Sequence, residues 1–293
     1  MATEIRRLSP IEQDEATLLI TPEATALVDC GVAQGGERLC GLLRDALCGR
    51  TLDAVFLTHT HYDHLGGLPF VLRQYPDAVV YGSTYAAKIL NKPSSLEKIR
   101  EIILDAWMEE RPSDVPDPAC LYPLRIDRII EDEEIVMVGP VQVQGLETPG
   151  HTNCSMSYYL PGEQFLFASE TLGVRYADGS VIMPGMVKSC RKTLESIHKC
   201  EHLPLQKIAA PHHGLMSGDP VRRYFEDAVR VTEEHLHMVL ASRDSGLSYE
   251  EIIDAYVQKY YPSVENVLGK DVFLLNVRPM IRYILEEYPS CSE

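Results

Sequence analysis

The amino-acid sequence predicts an α/β fold that ends in a helical extension. Up to about residue 215, short apolar runs rich in β-forming residues alternate with stretches in which apolar residues recur at helical spacing. From about residue 218 the strand pattern stops, and the rest of the chain is mostly helical. A chain of 293 residues can bury about 75% of its unfolded surface, so it can form a stable core without disulfide cross-links. We expect a domain over residues 1–215 and a helical C-terminal extension over residues 216–293.

The first half of the chain contains four predicted strands. Two lie within residues 16–30, separated by a turn, and the others cover residues 53–58 and 78–82. A polar helix is expected over residues 36–48. Ser94 and Glu97 form a capping box after Pro93, which predicts the start of another helix.

The second half begins with a loop and continues with strands and helices. Residues 111–120 contain three prolines, which predicts a surface loop. Further strands are predicted at residues 135–138, 141–147, 155–160, 164–169 and 207–211. Helical stretches are expected over residues 219–243 and 263–287. Between them Ser248 and Glu251 form a second capping box.

Composition excludes several classes of function. The 43 acidic and 27 Lys or Arg residues give a net charge of -16, which repels phosphate backbones, so we expect no nucleic-acid partner. No window approaches the roughly 18 apolar residues that span a membrane. The eight cysteines are scattered without a CxxC pair, and the N-terminus carries no apolar signal-peptide core. These features predict free thiols and a cytoplasmic protein, with a homodimer left open.

The stretch VFLTHTHYDHLGG, residues 55–67, contains the strongest functional signal. It follows a predicted buried strand and contains four ligand-type residues in six positions: His59, His61, Asp63 and His64. Alternate residues of an extended segment share a face, so His59 and His61 can point the same way. Imidazole and carboxylate ligands suit zinc, iron or manganese, and the mixture suggests more than one metal. The following Gly66-Gly67 permits close backbone approach.

Two later segments supply further histidines in the same context. His151 follows the turn Pro149-Gly150 at the end of a predicted strand. His212 and His213 follow the last predicted strand. We expect one of this pair to complete the ligand set and the other to support the site or contact the substrate.

The segments THTHYDHLGG, TPGHT and PHHG, in this order and at these separations, resemble the metallo-β-lactamase-fold hydrolases. The family's HxHxDH motif matches residues 59–64, and the resemblance covers roughly residues 15–215. It implies an αββα sandwich with two metals at one edge of the sheets. The implied ligands are His59, His61 and His151 for the first metal, and Asp63, His64 and His213 for the second. His213 is preferred over His212 because it directly precedes Gly214, as in the family's usual GHG.

Glu170 departs from the family pattern. The family carries a metal-bridging aspartate in a pattern like FxGD, whereas this chain reads QFLFASETLG. Glutamate keeps both oxygens but adds one methylene. Three alternatives are therefore open: the backbone retreats, Glu170 binds one ion only, or Glu170 is solvated and the site holds a single metal. Two divalent ions are expected, with zinc first and iron or manganese as alternatives favoured by a carboxylate-rich site.

A weaker resemblance concerns the helical tail. Residues 61–83, together with a helical C-terminus, are similar to the quinolone-signal-response thioesterases, in which the tail covers the active-site mouth. This similarity implies a lid role for residues 216–293. Asp29, in ALVDCG, occupies the place of a family aspartate that supports the site, although it could equally be a turn-former.

Metal-activated hydrolysis is the chemistry that this residue set predicts. Two divalent ions lower the pKa of a shared water and generate hydroxide near neutral pH. Asp63 would orient the nucleophile, and His212 is a candidate oxyanion or substrate contact. We expect a metal-dependent hydrolase of a small ester, thioester or lactone. The alternatives are a di-iron redox or gas-binding protein on the same fold and a non-catalytic ligand-binding regulator.

The remaining histidines and the tail tyrosines are left out of this mechanism. His235 and His237 are expected to face solvent on an acidic helix, and His198 and His202 lie near a helix end. Residues 256–261 (YVQKYY) are expected to pack in the core or in the lid.

Overall fold

The computed structural model describes residues 3–11, 16–111, 113, 116–176 and 181–290. The chain divides into two compact units. The first comprises Met1–Glu147 and Met156–Phe167, and the second comprises Thr148–Ser155 and Ala168–Glu293. The sequence-based boundary between residues 215 and 216 is a different division and stays a prediction.

The first unit contains two sheets and five helices among its described residues. Its elements in chain order are β1 (Glu4–Arg7), β2 (Thr17–Ile20), β3 (Thr25–Val28), α1 (Gly36–Leu47), β4 (Ala54–Phe56), α2 (Tyr62–Leu65), α3 (Leu68–Gln74), β5 (Val79–Gly82), α4 (Thr84–Leu90), α5 (Pro93–Glu110), β6 (Arg128–Ile129), β7 (Ile135–Val138), β8 (Val141–Glu147), β9 (Met156–Leu160) and β10 (Phe165–Phe167). The first sheet has the order β1-β2-β3-β4-β5-β6. Strands β1 to β3 pair antiparallel, whereas β3 to β6 pair parallel. Strands β7 to β10 form consecutive antiparallel pairs in the second sheet.

Helix α1 covers the first sheet with one apolar face. Leu39, Leu43 and Leu47 recur at helical spacing, are at most 1% exposed, and belong to one core cluster with Leu27 and Val55 of the sheet. Burying each such side chain stabilises the fold by about 1.5–3 kcal/mol. This core fixes the carboxyl end of β4, where the histidine cluster begins.

The two sheets of the first unit meet beside that strand end. The rings of Phe56 and Tyr158 pack edge to face, with centroids 5.1 Å apart. The Tyr158 hydroxyl donates to the Leu57 carbonyl (2.6 Å), and the Met156 amide donates to the Thr58 carbonyl (2.8 Å). The backbone that leads into His59 is therefore hydrogen-bonded before the ligand-type residues start.

The second unit combines two hairpins with four helices among its described residues. Its elements are β11 (Val174–Tyr176), β12 (Val181–Met183), α6 (Cys190–Glu201), β13 (Lys207–Ala210), β14 (Gly214–Ser217), α7 (Asp219–Asp244), α8 (Tyr249–Tyr260) and α9 (Lys270–Glu287). Strand β11 pairs with β12, and β13 pairs with β14, both antiparallel. Helices α7, α8 and α9 share one apolar cluster that includes Leu236, Ile253, Tyr256, Phe273 and Ile281.

Most predicted elements are present, and one capping box is confirmed. Ser248 accepts a hydrogen bond from the Glu251 amide, and its own amide donates to the Glu251 carboxylate, so both halves of that box form. The box predicted at Ser94 and Glu97 is wrong. Helix α5 begins at Pro93 with Lys92 as its N-cap, because a proline suits the first helical position and places Ser94 inside the first turn.

The prediction that His235 faces solvent is wrong. Its side chain is 3% exposed, and its Nδ1 lies 2.5 Å from the Tyr256 hydroxyl on α8. Helix α7 contacts both α8 and α9, so more of its surface is covered than a single apolar stripe would suggest. His237, two residues on, is exposed as expected. Strand β14 was missed because it follows β13 after only three residues.

Three other predictions concern cysteines, the loop and membrane spans. The seven cysteines in the described part of the chain are free thiols, whereas Cys291 lies outside it. Within the loop predicted at 111–120, residues 112, 114 and 115 lie outside the described residues. In the described ranges, no helix combines the length and the apolar character that crossing a membrane requires.

Candidate metal centre

Asp29 and Thr58 organise the histidine cluster of the first unit, which consists of His59, His61, Asp63 and His64. Asp29 follows β3, is 4% exposed, and has a φ of 57°. Its Oδ1 accepts a hydrogen bond from the Thr58 amide (2.8 Å), and its Oδ2 accepts one from the Thr58 hydroxyl (2.7 Å). The same Oδ2 lies 2.8 Å from His64 Nδ1. Asp29 is therefore a supporting residue of this cluster rather than only a turn-former.

These contacts favour one tautomer for each of two buried histidines. A carboxylate only accepts hydrogen bonds, so His64 carries its proton on Nδ1 and directs a lone pair from Nε2. The Thr58 hydroxyl donates to Asp29 and can accept from His59 Nδ1, 3.1 Å away. In that tautomer, His59 carries its proton on Nδ1 and its Nε2 is unprotonated. His59 is 0% exposed and His64 2% exposed, so both rings are held before any ligand arrives.

The short helix α2 places the carboxylate of the cluster. His61 is its N-cap, and Asp63 and His64 lie within its single turn. His61 and Asp63 are half-buried. Asp63 Oδ2 lies 3.9 Å from His64 Nε2, and the rings of His59 and His61 have centroids 4.6 Å apart. These four residues thus direct imidazole and carboxylate atoms toward one small region of the first unit.

Gly66 and Gly67 allow the chain after β3 to pass against α2. A Cβ added at Gly66 would lie 2.7 Å from the Ala33 amide nitrogen, and one at Gly67 would lie 2.1 Å from the Cys30 carbonyl oxygen. The Cys30 amide donates to the His64 carbonyl (2.7 Å). The close approach expected from the glycine pair is confirmed.

In the second unit, Glu170 lies between two histidines. Its Oε2 is 2.5 Å from His151 Nε2, and its Oε1 is 2.5 Å from His212 Nε2. Glu170 is 6% exposed and begins a 3-10 turn, Glu170–Leu172. We call His151, Glu170 and His212 the Glu170 cluster. Glu170 is therefore buried among ligand-type residues and is not a solvated loop residue.

The loop before His151 is packed too tightly for any side chain at Gly150. Gly150 has a φ of 144°, and a Cβ there would lie 2.2 Å from the Thr193 hydroxyl of α6. The amide of His151 donates to the Thr171 hydroxyl (3.2 Å), directly beside Glu170 in sequence. These contacts hold the Pro149-Gly150 turn and the backbone of His151 in place.

Of the two adjacent histidines, His212 is placed beside Glu170. It has a φ of 57°, and its ring lies nearly parallel to that of Tyr176, with an interplanar angle of 15° and centroids 6.2 Å apart. His213 is half-buried, and its amide donates to the Ala210 carbonyl (3.2 Å). The assignment of His213 as ligand and His212 as substrate contact stays a prediction. The contact of His212 with Glu170 does not favour it.

The donor chemistry of both clusters fits divalent metal ions. Each cluster combines imidazole nitrogens with at least one carboxylate. The ligand-type atoms of His59 and His61 lie within 4.8 Å of each other, and so do those of Glu170 and His212. Zinc takes such nitrogen and oxygen ligands, and iron and manganese accept them too. Hydrogen bonds from a ligand histidine to a buried carboxylate are typical support for metal sites. The His64–Asp29 contact is of this kind.

The sequence comparison identifies the family. A model of the metallo-beta-lactamase superfamily matches residues 13–227. The chain belongs to this superfamily. Together with the two sheets of the first unit and the helices that accompany the strands, this membership confirms the predicted αββα class with C-terminal helices.

Two kinds of relatives within the superfamily are similar to this chain. A hydroxyacylglutathione hydrolase of Legionella pneumophila (strain Paris) is 30% identical over 122 residues, which is 42% of this chain and 34% of that protein. The match therefore spans about a third of that relative. The metallo-beta-lactamase fold-containing protein ST1585 of Sulfurisphaera tokodaii is 27% identical over 251 residues, covering 80% of this chain and 83% of that one.

Solved structures share the fold. The structure of ST1585, described as an archaeal metallo-beta-lactamase superfamily protein, aligns with a TM-score of 0.61 at 22% identity, covering 98% of this chain and all of that one. The metallo-beta-lactamase family protein TTHA1429 of Thermus thermophilus aligns with a TM-score of 0.66 at 18% identity, covering 98% of this chain and 93% of that one. At these identities, the likeness establishes the fold alone.

Sequence reasoning found the ligand-type residues but missed several residues that hold them. Thr58, Thr171 and Tyr176 were not singled out, although each contacts a residue of one of the two clusters. Position offered a signal for two of them: Thr58 directly precedes His59, and Thr171 directly follows Glu170. Tyr176 gave no such signal, since only the β11–β12 hairpin brings its ring to His212.

Proposed function

We propose that this protein is a hydrolase of small thioesters, esters or lactones that uses two divalent metal ions held jointly by the histidine cluster and the Glu170 cluster. One observation carries the proposal. The chain of a superfamily member carries the HxHxDH motif at residues 59–64, and the Nδ1 atoms of its two buried histidines, His59 and His64, face the Thr58 hydroxyl and the Asp29 carboxylate. Histidines that bind metals usually donate their other ring N–H to a carboxylate or a similar acceptor, and these contacts fit that arrangement.

The proposed ligand sets follow the family motif, with one change. His59, His61 and His151 would bind the first ion, and Asp63, His64 and His212 the second. His212 replaces His213 here because His212 contacts Glu170 at 2.5 Å. Glu170 would help to hold the ions, since its two oxygens face two different histidines, His151 and His212. We propose zinc as the metal, with iron or manganese as alternatives.

When bound, two such ions lower the pKa of a shared water and polarise the electrophilic oxygen of the substrate. The residues of this chain supply orientation. The half-buried carboxylate of Asp63 would accept a hydrogen bond from the attacking water and so fix its direction. Asp29 and Thr58 keep the rings of His59 and His64 from rotating. His213, half-buried and next to His212, would contact the substrate.

The relatives favour thioesters among these substrates. The name hydroxyacylglutathione hydrolase describes cleavage of a glutathione thioester, and that relative matches 42% of this chain. The acidic character of the chain, with a net charge of -16, favours a small metabolite over an anionic polymer. We propose that the helical residues 216–293 form a lid that selects the substrate.

A hydrolysis panel on metal-loaded protein tests this function. Thioesters, lactones, simple esters and phosphodiesters are assayed with wild type, Asp63→Ala and the control Asp105→Ala, whose side chain is exposed on α5. We expect thioester turnover to fall by roughly 100-fold or more in Asp63→Ala, on the scale of a lost general-base contact, and to stay unchanged in the control. Undiminished turnover in Asp63→Ala would contradict the mechanism. About two irons per chain, a visible absorption band and no hydrolysis would support the di-iron alternative instead.

A further inference from the structure

The last turn of helix α9 carries a carboxylate that binds the start of helix α6. Glu287 Oε1 accepts a hydrogen bond from the Ser189 hydroxyl (2.6 Å). Glu287 Oε2 accepts from the backbone amides of Cys190 (2.9 Å) and Arg191 (3.2 Å). The first amides of a helix have no partner within the helix, so a carboxylate there is stabilising by hydrogen bonding and by the helix dipole. Glu287 is nearly a hundred residues away in sequence, so this cap ties the C-terminal helix to α6.

The segment that Glu287 holds also contacts the backbone of the Glu170 cluster. We call residues 185–191 the connecting segment. The amides of Lys188 (2.7 Å) and Ser189 (3.1 Å) both donate to the carbonyl of Gly150, the residue directly before His151. At the other end, a Cβ on Gly185 would lie 1.9 Å from the Glu170 carbonyl oxygen. The connecting segment therefore packs against the backbone of both Glu170 and the His151 loop.

Helix α6 reinforces the same connection. The Ser196 hydroxyl donates to the Pro149 carbonyl (2.8 Å), and Thr193 is the residue against which Gly150 packs. A second contact from α9 reaches the connecting segment, because Lys188 Nζ lies 3.2 Å from the Tyr283 hydroxyl and 4.7 Å from its ring centroid. Any movement at the start of α6 would thus move the Gly150 carbonyl and with it His151.

We propose that Glu287 is a positioning residue for the metal centre: by capping α6 it fixes the connecting segment, and through the Gly150 carbonyl it sets the place of His151 relative to Glu170. This inference rests on the proposed function, because it takes His151 and Glu170 as metal ligands. It also gives the C-terminal helix a second role beside that of a lid. The helix is part of the support of a ligand and not only a cover.

The test measures Zn²⁺ dissociation constants for the full chain at 25 °C by competition with a chromogenic chelator. The variants are Glu287→Ala, Glu287→Gln and the control Glu286→Ala, whose side chain is 62% exposed and faces Arg282. We expect Glu287→Ala to raise the Zn²⁺ dissociation constant about ten-fold, as losses of supporting contacts do. Glu287→Gln keeps one oxygen to accept from both amides and one NH₂ to donate to Ser189, so it should restore binding. Glu286→Ala should match wild type.

Thermal unfolding separates this role from that of an ordinary helix cap. A lowered Tm for Glu287→Ala with a wild-type Zn²⁺ dissociation constant would overturn the proposal, because only folding would then depend on the cap. If Glu287→Ala does not fold, Glu287→Asp takes its place: its shorter side chain keeps the charge but not the reach. Weaker Zn²⁺ binding in Glu287→Asp supports the proposal, and wild-type binding contradicts it. Failure of the wild-type chain to bind Zn²⁺ would instead refute the proposed function.

Discussion

At the scale of single residues, the histidine cluster depends on two supporting side chains outside it, Asp29 and Thr58. Thr58 uses its one hydroxyl twice, donating to Asp29 and accepting from His59. Asp29 in turn accepts a hydrogen bond from His64 Nδ1. One buried threonine and one buried aspartate therefore determine which nitrogen of each ring is available. The sequence motif identifies the histidines, whereas the hydrogen bonds of these two residues orient the rings of His59 and His64.

Replacing Thr58 with valine tests this dependence. Valine has the same shape but no hydroxyl, so Asp29 and His59 each lose a buried partner. We expect the Zn²⁺ dissociation constant to rise about 10–100-fold and the free energy of unfolding to fall by about 1–3 kcal/mol. Thr58→Ser keeps the hydroxyl and should bind Zn²⁺ nearly as wild type does. Equal Zn²⁺ affinity in Thr58→Val and wild type, measured by chelator competition, would show that the hydroxyl does not orient the rings.

At the scale of elements, the turn after α2 joins the ligand residues to the first core. Gly67 has a φ of -76°, which any residue can adopt, so backbone conformation does not require glycine at this position. Glycine is required because a Cβ at position 67 would lie 2.1 Å from the Cys30 carbonyl oxygen. Because that atom is backbone, relief requires the chain after β3, and with it Asp29, to shift.

Gly67→Ala and Gly41→Ala form a matched pair for this claim. Gly41 lies within α1, and a Cβ there would meet nothing nearer than 3.9 Å, so alanine should add about 0.5–1 kcal/mol of stability through helix propensity. Gly67→Ala should lose roughly 1–3 kcal/mol through overpacking. Chemical denaturation of both variants measures the difference. A neutral Gly67→Ala would mean that the close approach to Cys30 is not needed.

The helices of the second unit contain a buried histidine that makes stability depend on pH. His235 stacks on Tyr260 at 3.7 Å between centroids, with Lys259 and Glu234 at the rim of the same contact. Burial, aided by the Lys259 charge, lowers the pKa of His235 from 6.5 to about 3. The unfolded chain therefore binds a proton between these values that the folded chain does not. The contribution of neutral His235 is complete above pH 6.5 and is lost progressively as the pH falls toward 3.

Urea denaturation at pH 7 and pH 5 tests this linkage. For His235 the loss of unfolding free energy between these pH values should be at most about 2 kcal/mol. His235→Gln removes the titrating group, so its unfolding free energy should change less between pH 7 and pH 5 than that of wild type. The exposed His237→Gln serves as control and should keep the wild-type pH dependence. An identical pH dependence in His235→Gln and wild type would contradict the assignment.

At the scale of the whole molecule, the ligand-type residues come from two units. The histidine cluster belongs to the first unit and the Glu170 cluster to the second. The second unit includes α9, whose Glu287 reaches the connecting segment, so the helical extension is continuous with the residues that hold His151. The C-terminal helices thus belong to the unit that supplies three of the seven proposed ligands.

Much of this architecture could be predicted from sequence because it is local. Apolar runs indicated β2 to β5 and β7 to β10, and ligand-type residues directly followed several of them. What could not be predicted depends on contacts distant in sequence. The burial of His235 requires α8, the placement of His212 beside Glu170 requires a φ of 57° at His212, and the cap by Glu287 requires the end of the chain. Periodicity does not encode any of these.

X-ray absorption spectroscopy of the Zn²⁺-loaded chain tests most directly the proposal that this protein binds two neighbouring metal ions. Two zinc ions per chain with a metal–metal scattering distance of about 3.5–4 Å, as two-metal hydrolytic sites show, is the predicted result. Two bound ions without metal–metal scattering, or a single ion per chain at saturating Zn²⁺, would contradict it.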